Sequence, residues 1–164
     1  MPNTSYIRYK GKGFWIPEFF LEITCQYICK AFEQVGLSSV SPTLQAIYRQ
    51  CNSNRIAASY SMGNISMDAL EGNTADISSF ISILVQAKAL VLSIGTEISV
   101  STLNQFEATK IDDDFKDIWT LPIKTQSIAA TIDIIIQMLQ ETWNSSNYSV
   151  YYTGFPNPRN MPEI

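Results

Sequence analysis

Apolar residues recur at helical spacing in four long stretches of the chain, and this pattern predicts a mainly α fold. The first stretch covers residues 17–35 and ends before Gly36, a residue type that commonly closes a helix. Its apolar positions extend around much of the helix, which is typical of a central helix or of a helix at a subunit interface. Its polar positions predict a wet face made of Glu18, Glu22, Gln26, Lys30 and Glu33.

Two further helices have clear start signals. The second helix is predicted over residues 42–59, with Ser41 as its N-cap. The third helix is predicted to begin after the N-cap Asn73, with Asp76 in its first turn, and to end before Gly95.

The rest of the C-terminal half predicts an irregular connection followed by one long helix. The connection covers residues 96–124 and holds a short candidate helix and an acidic turn. The last helix is predicted over residues 125–143, because isoleucine, leucine and tryptophan recur there on one helical face.

The two ends of the chain predict short strands. Residues 6–15 alternate polar and apolar side chains around glycines, which is typical of a strand or hairpin. Residues 148–152 form a second candidate strand, whose simplest partner is the N-terminal one. We therefore expect a single-domain helical bundle of four or more helices, with a short β-hairpin or strand pair formed by the N- and C-terminal segments. The domain is expected over residues 1–154, and the proline-rich residues 155–164 are expected to be a poorly ordered tail.

Composition removes several function classes. The sequence is 46% hydrophobic and 16% charged, as expected for a globular chain. Its net charge of −4 argues against a nucleic-acid binder, because such proteins need a basic face to displace counterions from phosphates. The chain contains no histidine, which excludes Ser-His-Asp and Cys-His nucleophiles, histidine-ligated metals and imidazole acid–base catalysis.

The sequence also bears on the compartment. The N-terminal residues contain no apolar run of signal-peptide length, and three cysteines are an odd, sparse set typical of reduced thiols. We therefore expect a cytoplasmic protein. Residues 77–96 are long and apolar enough to cross a membrane, but Lys88 lies near their centre, where a lysine costs about 3 kcal/mol. Serines line one side of this stretch, so we expect a core helix and no membrane insertion.

Two short motifs carry a family resemblance. The segment YIRYKGKGFW at residues 6–15 leads into an apolar helix, and GTEISVSTLN at residues 95–104 follows a long apolar helix. Together they resemble a group of small, uncharacterised bacterial proteins with an N-terminal K-G-x-G-F-W segment and an I-S-x-x-x-L-N turn. The likeness extends in outline over residues 6–140 and implies a mostly helical, bacterial protein. It implies no chemistry, because no activity is established for that group.

Two clusters of charged residues could bind ions. Residues 10–13, KGKG, are similar to an anion cradle but lack the ending of a phosphate-binding loop, so a tight turn is favoured. Asp112, Asp113 and Asp114 could bind Mg²⁺ or Ca²⁺, although their spacing is not that of an EF-hand. The alternative is that they cap a helical turn at residues 115–119. We expect no cofactor and no metal, with these three aspartates as the weak metal candidates.

The candidate interaction residues lie near the N-terminus. Phe14, Trp15 and Phe19 either anchor the hairpin on the first helix, which is favoured, or form a partner-binding patch. Cys29 lies among polar positions of that helix, which favours exposure or an interface, whereas buried thiols are expected for the other cysteines. The predicted interaction residues are Phe14, Trp15, Phe19, Ile23 and Cys29.

These observations favour a non-catalytic protein–protein interaction module over an enzyme. It would act as a homodimer, or as a small inhibitor or immunity-type partner whose acidic face speeds association with a basic protein. The alternative is a small-molecule-binding or enzymatic domain with a pocket near Trp15 and Trp119. That alternative predicts a cavity of several hundred Å³ and a strongly perturbed carboxylate or lysine. Glu22 could form a catalytic pair with a tyrosine or lysine, but its spacing equally fits a helix surface.

Overall fold

A computed structural model describes residues 4–56 and 63–143 of the chain. In chain order the elements are β1 (Thr4–Tyr9), β2 (Lys12–Pro17), α1 (Glu18–Val35), α2 (Pro42–Ile56), β3 (Ile65–Ser66), α3 (Thr74–Leu92), β4 (Glu97–Ile98), α4 (Val100–Glu107), β5 (Ile123–Lys124) and α5 (Thr125–Leu139). The predicted mainly α class is confirmed for these residues, with five α-helices and two small sheets.

The N-terminal hairpin follows from a two-residue turn. β1 and β2 pair antiparallel, and Tyr9 lies opposite Lys12 at the end of the ladder. Lys10 and Gly11 between them both have positive φ, 50° and 75°. This is the backbone of the mirror-image turns that match the twist of paired strands. The predicted hairpin is confirmed.

The N-terminal strand β1 has two neighbours among the described residues. β1 pairs with β2 on one side and runs parallel to β3 on the other, with Ile7 opposite Ile65. A local turn and the return of the chain from α2 therefore supply both neighbours of β1. The candidate strand at residues 148–152, the boundary at 154 and the tail at 155–164 lie outside the described residues.

α1 is the central helix of the described fold. It packs against α2 and α3, and also contacts α5, α4 and the hairpin. The side chains from Phe20 to Cys29 are all buried, so the expected wet face of this helix is wrong at Glu22 and Gln26. The reason is that α4 and the chain after it cover this side of the helix.

The ends of the helices largely follow the predicted signals. Ser41 accepts a hydrogen bond from the amide of Leu44, and Asn73 accepts one from the amide of Asp76. α5 ends at Leu139, four residues earlier than the predicted residue 143. It stops there because Glu141 adopts the left-handed conformation, with φ 58°, which breaks the helical hydrogen-bond pattern.

α3 packs on α5 and carries the long apolar stretch that the sequence flagged. Among the described residues it is the one helix long and apolar enough to cross a membrane, and 28% of its apolar window is buried. Lys88 is paired with Asp133 of α5 at 2.7 Å.

Candidate functional site

The most distinctive surface of the described fold is the segment from Ile111 to Leu121, here called the acidic connection. Its sequence, IDDDFKDIWTL, contains four aspartates and one lysine. It also presents three large aliphatic side chains to solvent: Ile111 is 72% exposed, Ile118 is 86% exposed and Leu121 is 73% exposed. Aliphatic side chains this exposed are individually common, but three within eleven residues of an acidic segment are unusual enough to need an explanation.

The fold closes this part of the chain into a loop. β4 and β5 pair antiparallel, with Ile98 opposite Ile123, so the chain that leaves α3 returns to the same place before α5. The amide of Thr125 reinforces this closure by donating to the carbonyl of Thr96 at 3.0 Å. α4 and the acidic connection therefore form one loop whose two ends are held together by the β4–β5 pair.

Hydrogen bonds hold the acidic connection at both ends. The Ile111 amide donates to the carbonyl of Ile56 at the end of α2, at 2.9 Å. The Asn104 side chain on α4 brackets the Trp119 backbone: its Oδ1 accepts from the amide at 2.9 Å, and its Nδ2 donates to the carbonyl at 3.2 Å. The Trp119 ring packs edge-on against Phe19 of α1, with centroids 5.7 Å apart.

Beneath the acidic connection lies a buried ion cluster, formed by Glu22 of α1, Glu107 of α4 and Lys110. The Lys110 ammonium is 2.8 Å from Oε2 of Glu22 and 2.7 Å from Oε2 of Glu107. It also donates a hydrogen bond to the carbonyl of Phe115 at 2.9 Å. All three charged side chains are nearly inaccessible, with exposures of 6%, 5% and 2% respectively for Glu22, Glu107 and Lys110.

The two carboxylates of the cluster are not equivalent. Glu107 accepts from the Trp119 indole N–H at 2.9 Å and from the Asp117 amide at 3.0 Å, in addition to its contact with Lys110. Glu22 contacts the ammonium, yet its Oε2 accepts no well-aligned hydrogen bond among the described residues. The two carboxylates therefore differ in how many hydrogen bonds the surrounding chain donates to them.

The electrostatics follow from one cation facing two buried carboxylates. Burial raises the pKa of Glu22 to about 7, because the attraction of Lys110 offsets only part of the lost hydration. Burial opposes the charge on Lys110, but contacts with Glu107 and Glu22 outweigh it and raise the pKa of that ammonium. Near neutral pH the cluster therefore alternates between a neutral state, with Glu22 protonated, and a state with one excess negative charge.

Of the three aspartates proposed as weak metal candidates, Asp112 caps a short turn and Asp113 forms an ion pair. The Asp112 side chain accepts a hydrogen bond from the Asp114 amide at 3.0 Å and caps a 3₁₀ turn at Asp113–Phe115. This resembles the capping alternative, but the turn begins two residues earlier than the predicted 115–119. Asp113 pairs with Lys116, and this contact lowers the pKa of the Asp113 carboxyl. Among the residues that the structure describes, no group of three or more acidic or thiol side chains could hold a metal ion.

The predicted interaction residues are mostly core residues. Phe14, Ile23 and Cys29 are at most 1% exposed, so their predicted place at a surface is wrong. Phe14 anchors the hairpin by packing edge-on against Trp143, which agrees with the favoured interpretation that this aromatic group holds the hairpin in the core. The burial of Ile23 and Cys29 follows from the central position of α1.

Two predicted interaction residues retain exposed area. Trp15 is 40% exposed and packs on Tyr6 across the hairpin, with ring centroids 4.9 Å apart. Phe19 is half-buried beside Trp119, so it lies at the edge of the acidic connection. Their part in binding remains a prediction.

All three cysteines are buried and free, and burial raises the pKa of Cys25 and of Cys29. Cys25 and Cys29 are therefore neutral thiols. The burial of Cys25 and Cys51 agrees with the prediction, whereas the expected exposure of Cys29 is wrong.

Several surface cavities lie away from the acidic connection. The largest of these described here is an open groove of about 500 Å³ between the start of α2 and the start of α3. A second, of about 110 Å³, lies beside the KGKG turn, where Lys10 is already paired with Glu141 at 2.6 Å. Neither lining includes Trp15 or Trp119, the residues around which the sequence predicted a pocket.

Sequence reasoning missed Glu107, Lys110 and Asn104. The signal was present but weak: Glu107 and Lys110 are spaced for an ion pair at the end of a short helix. Comparison with protein-family models, with curated proteins and with solved structures gives no match.

Proposed function

We propose that the protein is a non-catalytic protein-binding module and that the acidic connection is its binding surface. The observation that carries this proposal is the exposure of Ile111, Ile118 and Leu121 on a segment whose backbone is tied to α2 and α4. Covering exposed aliphatic side chains with a partner lowers the free energy of the complex, because apolar surface is removed from water. A segment that is already ordered loses little conformational entropy on binding.

The charge of the segment selects the partner. Asp112, Asp114 and Asp117 lie between Ile111 and Ile118 in the sequence, and Lys116 is paired within the segment. The complementary surface is a protein with an apolar groove and a rim of lysine or arginine. Such charges speed association and reject acidic competitors. A second copy using the same surface would bring aspartates against aspartates, so the charge favours a different protein over a homodimer.

A scaffold that acts as one helical bundle around α1 would keep the acidic connection rigid. The role that we propose is that of a small inhibitor or immunity-type protein in the bacterial cytoplasm. Such a protein needs a binding segment, here an acidic one, and needs neither histidine nor a cofactor motif. The resemblance to small bacterial proteins supports the same setting.

Two labelled amphipathic peptides provide a direct test. Both carry the same leucine face, and their polar faces carry lysines in one peptide and glutamates in the other. Fluorescence anisotropy should detect binding of the lysine peptide alone, with an affinity that falls as salt is added. The double variant Ile118→Ser with Leu121→Ser should lose about tenfold in affinity, or about 1.4 kcal/mol.

The matched control is the double variant Val85→Ser with Leu92→Ser, which removes two exposed aliphatic side chains from α3 instead. It should bind the lysine peptide as the unmodified protein does. Equal binding of both peptides, or equal losses in the two double variants, would refute the proposal. Analytical ultracentrifugation at tens of micromolar protein distinguishes this proposal from the homodimer alternative, because only the homodimer alternative predicts a dimer.

The catalytic alternative has one feature in its favour, the raised pKa of Glu22. However, the Glu22 and Lys110 side chains are 6% and 2% exposed and contact protein atoms. A general acid or base must reach a substrate proton within hydrogen-bond distance. The position of the cluster therefore fits a structural role beneath the acidic connection better than a catalytic role.

A further inference from the structure

The buried ion cluster joins two parts of the fold that are far apart in the sequence. Glu22 belongs to the central helix, whereas Lys110 and Glu107 belong to the chain that carries the acidic connection. Lys110 also binds the Phe115 carbonyl, so its position fixes the backbone in the middle of that segment. Any change that moves Lys110 is transmitted to the exposed side chains.

We propose that the buried cluster of Glu22, Lys110 and Glu107 is a proton-controlled tie, which holds the acidic connection against α1 and loosens when loss of the Glu22 proton leaves two buried carboxylates sharing one ammonium. Its consequence for partner binding rests on the function proposed above, but the tie itself is a property of the isolated chain. In this proposal Glu22 is a positioning residue for the segment.

The direction of the switch follows from charge counting. With Glu22 protonated, Lys110 and Glu107 form a neutral, hydrogen-bonded pair beneath the segment. With Glu22 ionised, two carboxylates share one ammonium in a site that is nearly inaccessible to water, and the excess charge favours an opened state in which water can hydrate it. The segment is therefore tightly held on the acid side of neutrality and looser on the alkaline side.

The groups that act on Glu22 are few. Lys110 and Glu107 face it from the covering chain, and Glu18 acts on it from one turn earlier in α1. Cys25, almost one turn later, is a fully buried thiol whose pKa is raised, so it stays neutral across this range. Burial raises the pKa of Glu22 to about 7, which places the transition near neutral pH.

Hydrogen–deuterium exchange of the isolated protein tests the tie. The informative amides are those of Asp117, bound to Glu107, and of Trp119, bound to Asn104. After correction for intrinsic exchange, their opening equilibrium should rise about tenfold from pH 6 to pH 8, because the closed form binds the proton more tightly. Amides in the middle of α3 should show no comparable rise.

Variants separate this cause from others. Glu22→Gln should remove the rise in opening, whereas Glu71→Gln, which removes one exposed carboxylate near the KGKG turn, should leave it unchanged. A parallel rise in Glu22→Gln and in the unmodified protein would overturn the proposal.

A measurement on the unmodified protein keeps the test independent of whether Glu22→Gln folds. The ¹³C resonance of the Glu22 carboxyl should titrate with the same midpoint as the amide opening, and titration complete below pH 5 would overturn the proposal. The peptide-binding experiment tests the binding function separately. A tie without peptide binding refutes only that function, and peptide binding without the tie refutes only this inference.

Discussion

Replacing Glu22 by glutamine should flatten the pH dependence of the protein's stability. The folded protein holds the proton on Glu22 more tightly than the unfolded chain does, because burial raises its pKa from the ordinary 4.5 to about 7. A group with a raised folded pKa contributes its full stability below pH 4.5 and loses it as the pH rises through 7. The free energy of unfolding should therefore fall between pH 5 and pH 8.

The magnitude follows from the size of the shift. At about 1.4 kcal/mol per pKa unit, the shift from 4.5 to about 7 corresponds to roughly 3 kcal/mol, of which about 2.5 kcal/mol falls between pH 5 and pH 8. The lowered pKa values of Asp113 and Glu141 work in the opposite direction, but they act below the ordinary pKa of a carboxyl and so outside this window.

Urea denaturation at several pH values, followed by tryptophan fluorescence, measures this free energy directly. Relative to Glu22→Gln, the unmodified protein should lose about 2–3 kcal/mol from pH 5 to pH 8. Glu71→Gln should follow the unmodified protein. If the Glu22→Gln and unmodified curves fall in parallel, or if the unmodified protein gains stability relative to the variant, the reasoning about the buried cluster is wrong.

Three further substitutions test other parts of the structure by the same denaturation assay. Lys110→Met should lower the free energy of unfolding by about 3–5 kcal/mol at pH 8, because it leaves two buried carboxylates without a cation; a loss below 1 kcal/mol would contradict the buried cluster. Asn73→Ala should lose about 1 kcal/mol, since it removes the cap that accepts from the Asp76 amide, and an unchanged midpoint would contradict that role. Gly13→Ala should lose at least about 1–3 kcal/mol, because the added carbon would overlap the Ile7 carbonyl of the paired strand; full stability would show that the hairpin is less tightly packed there.

Sequence alone located the helices because their signals are local. The apolar periodicity of α1 and α3, the Asn73 cap and the Gly36 stop depend on residues within one or two turns of each other. The hairpin was predictable for the same reason, since its turn needs only two residues that accept positive φ. Composition likewise excluded imidazole chemistry without any structure.

The candidate site could not be read from the sequence because its members are far apart along the chain. Helical periodicity places Glu22 on a polar face of α1. That periodicity carries no information about the chain after α4, which covers this face in the folded protein. Lys110 is an ordinary lysine until the fold places it between two carboxylates. Local pattern and composition therefore determined the helices, the hairpin and the acidic character of the connection. Tertiary packing alone decided which polar residues are buried, because burial depends on what the rest of the chain places against each face.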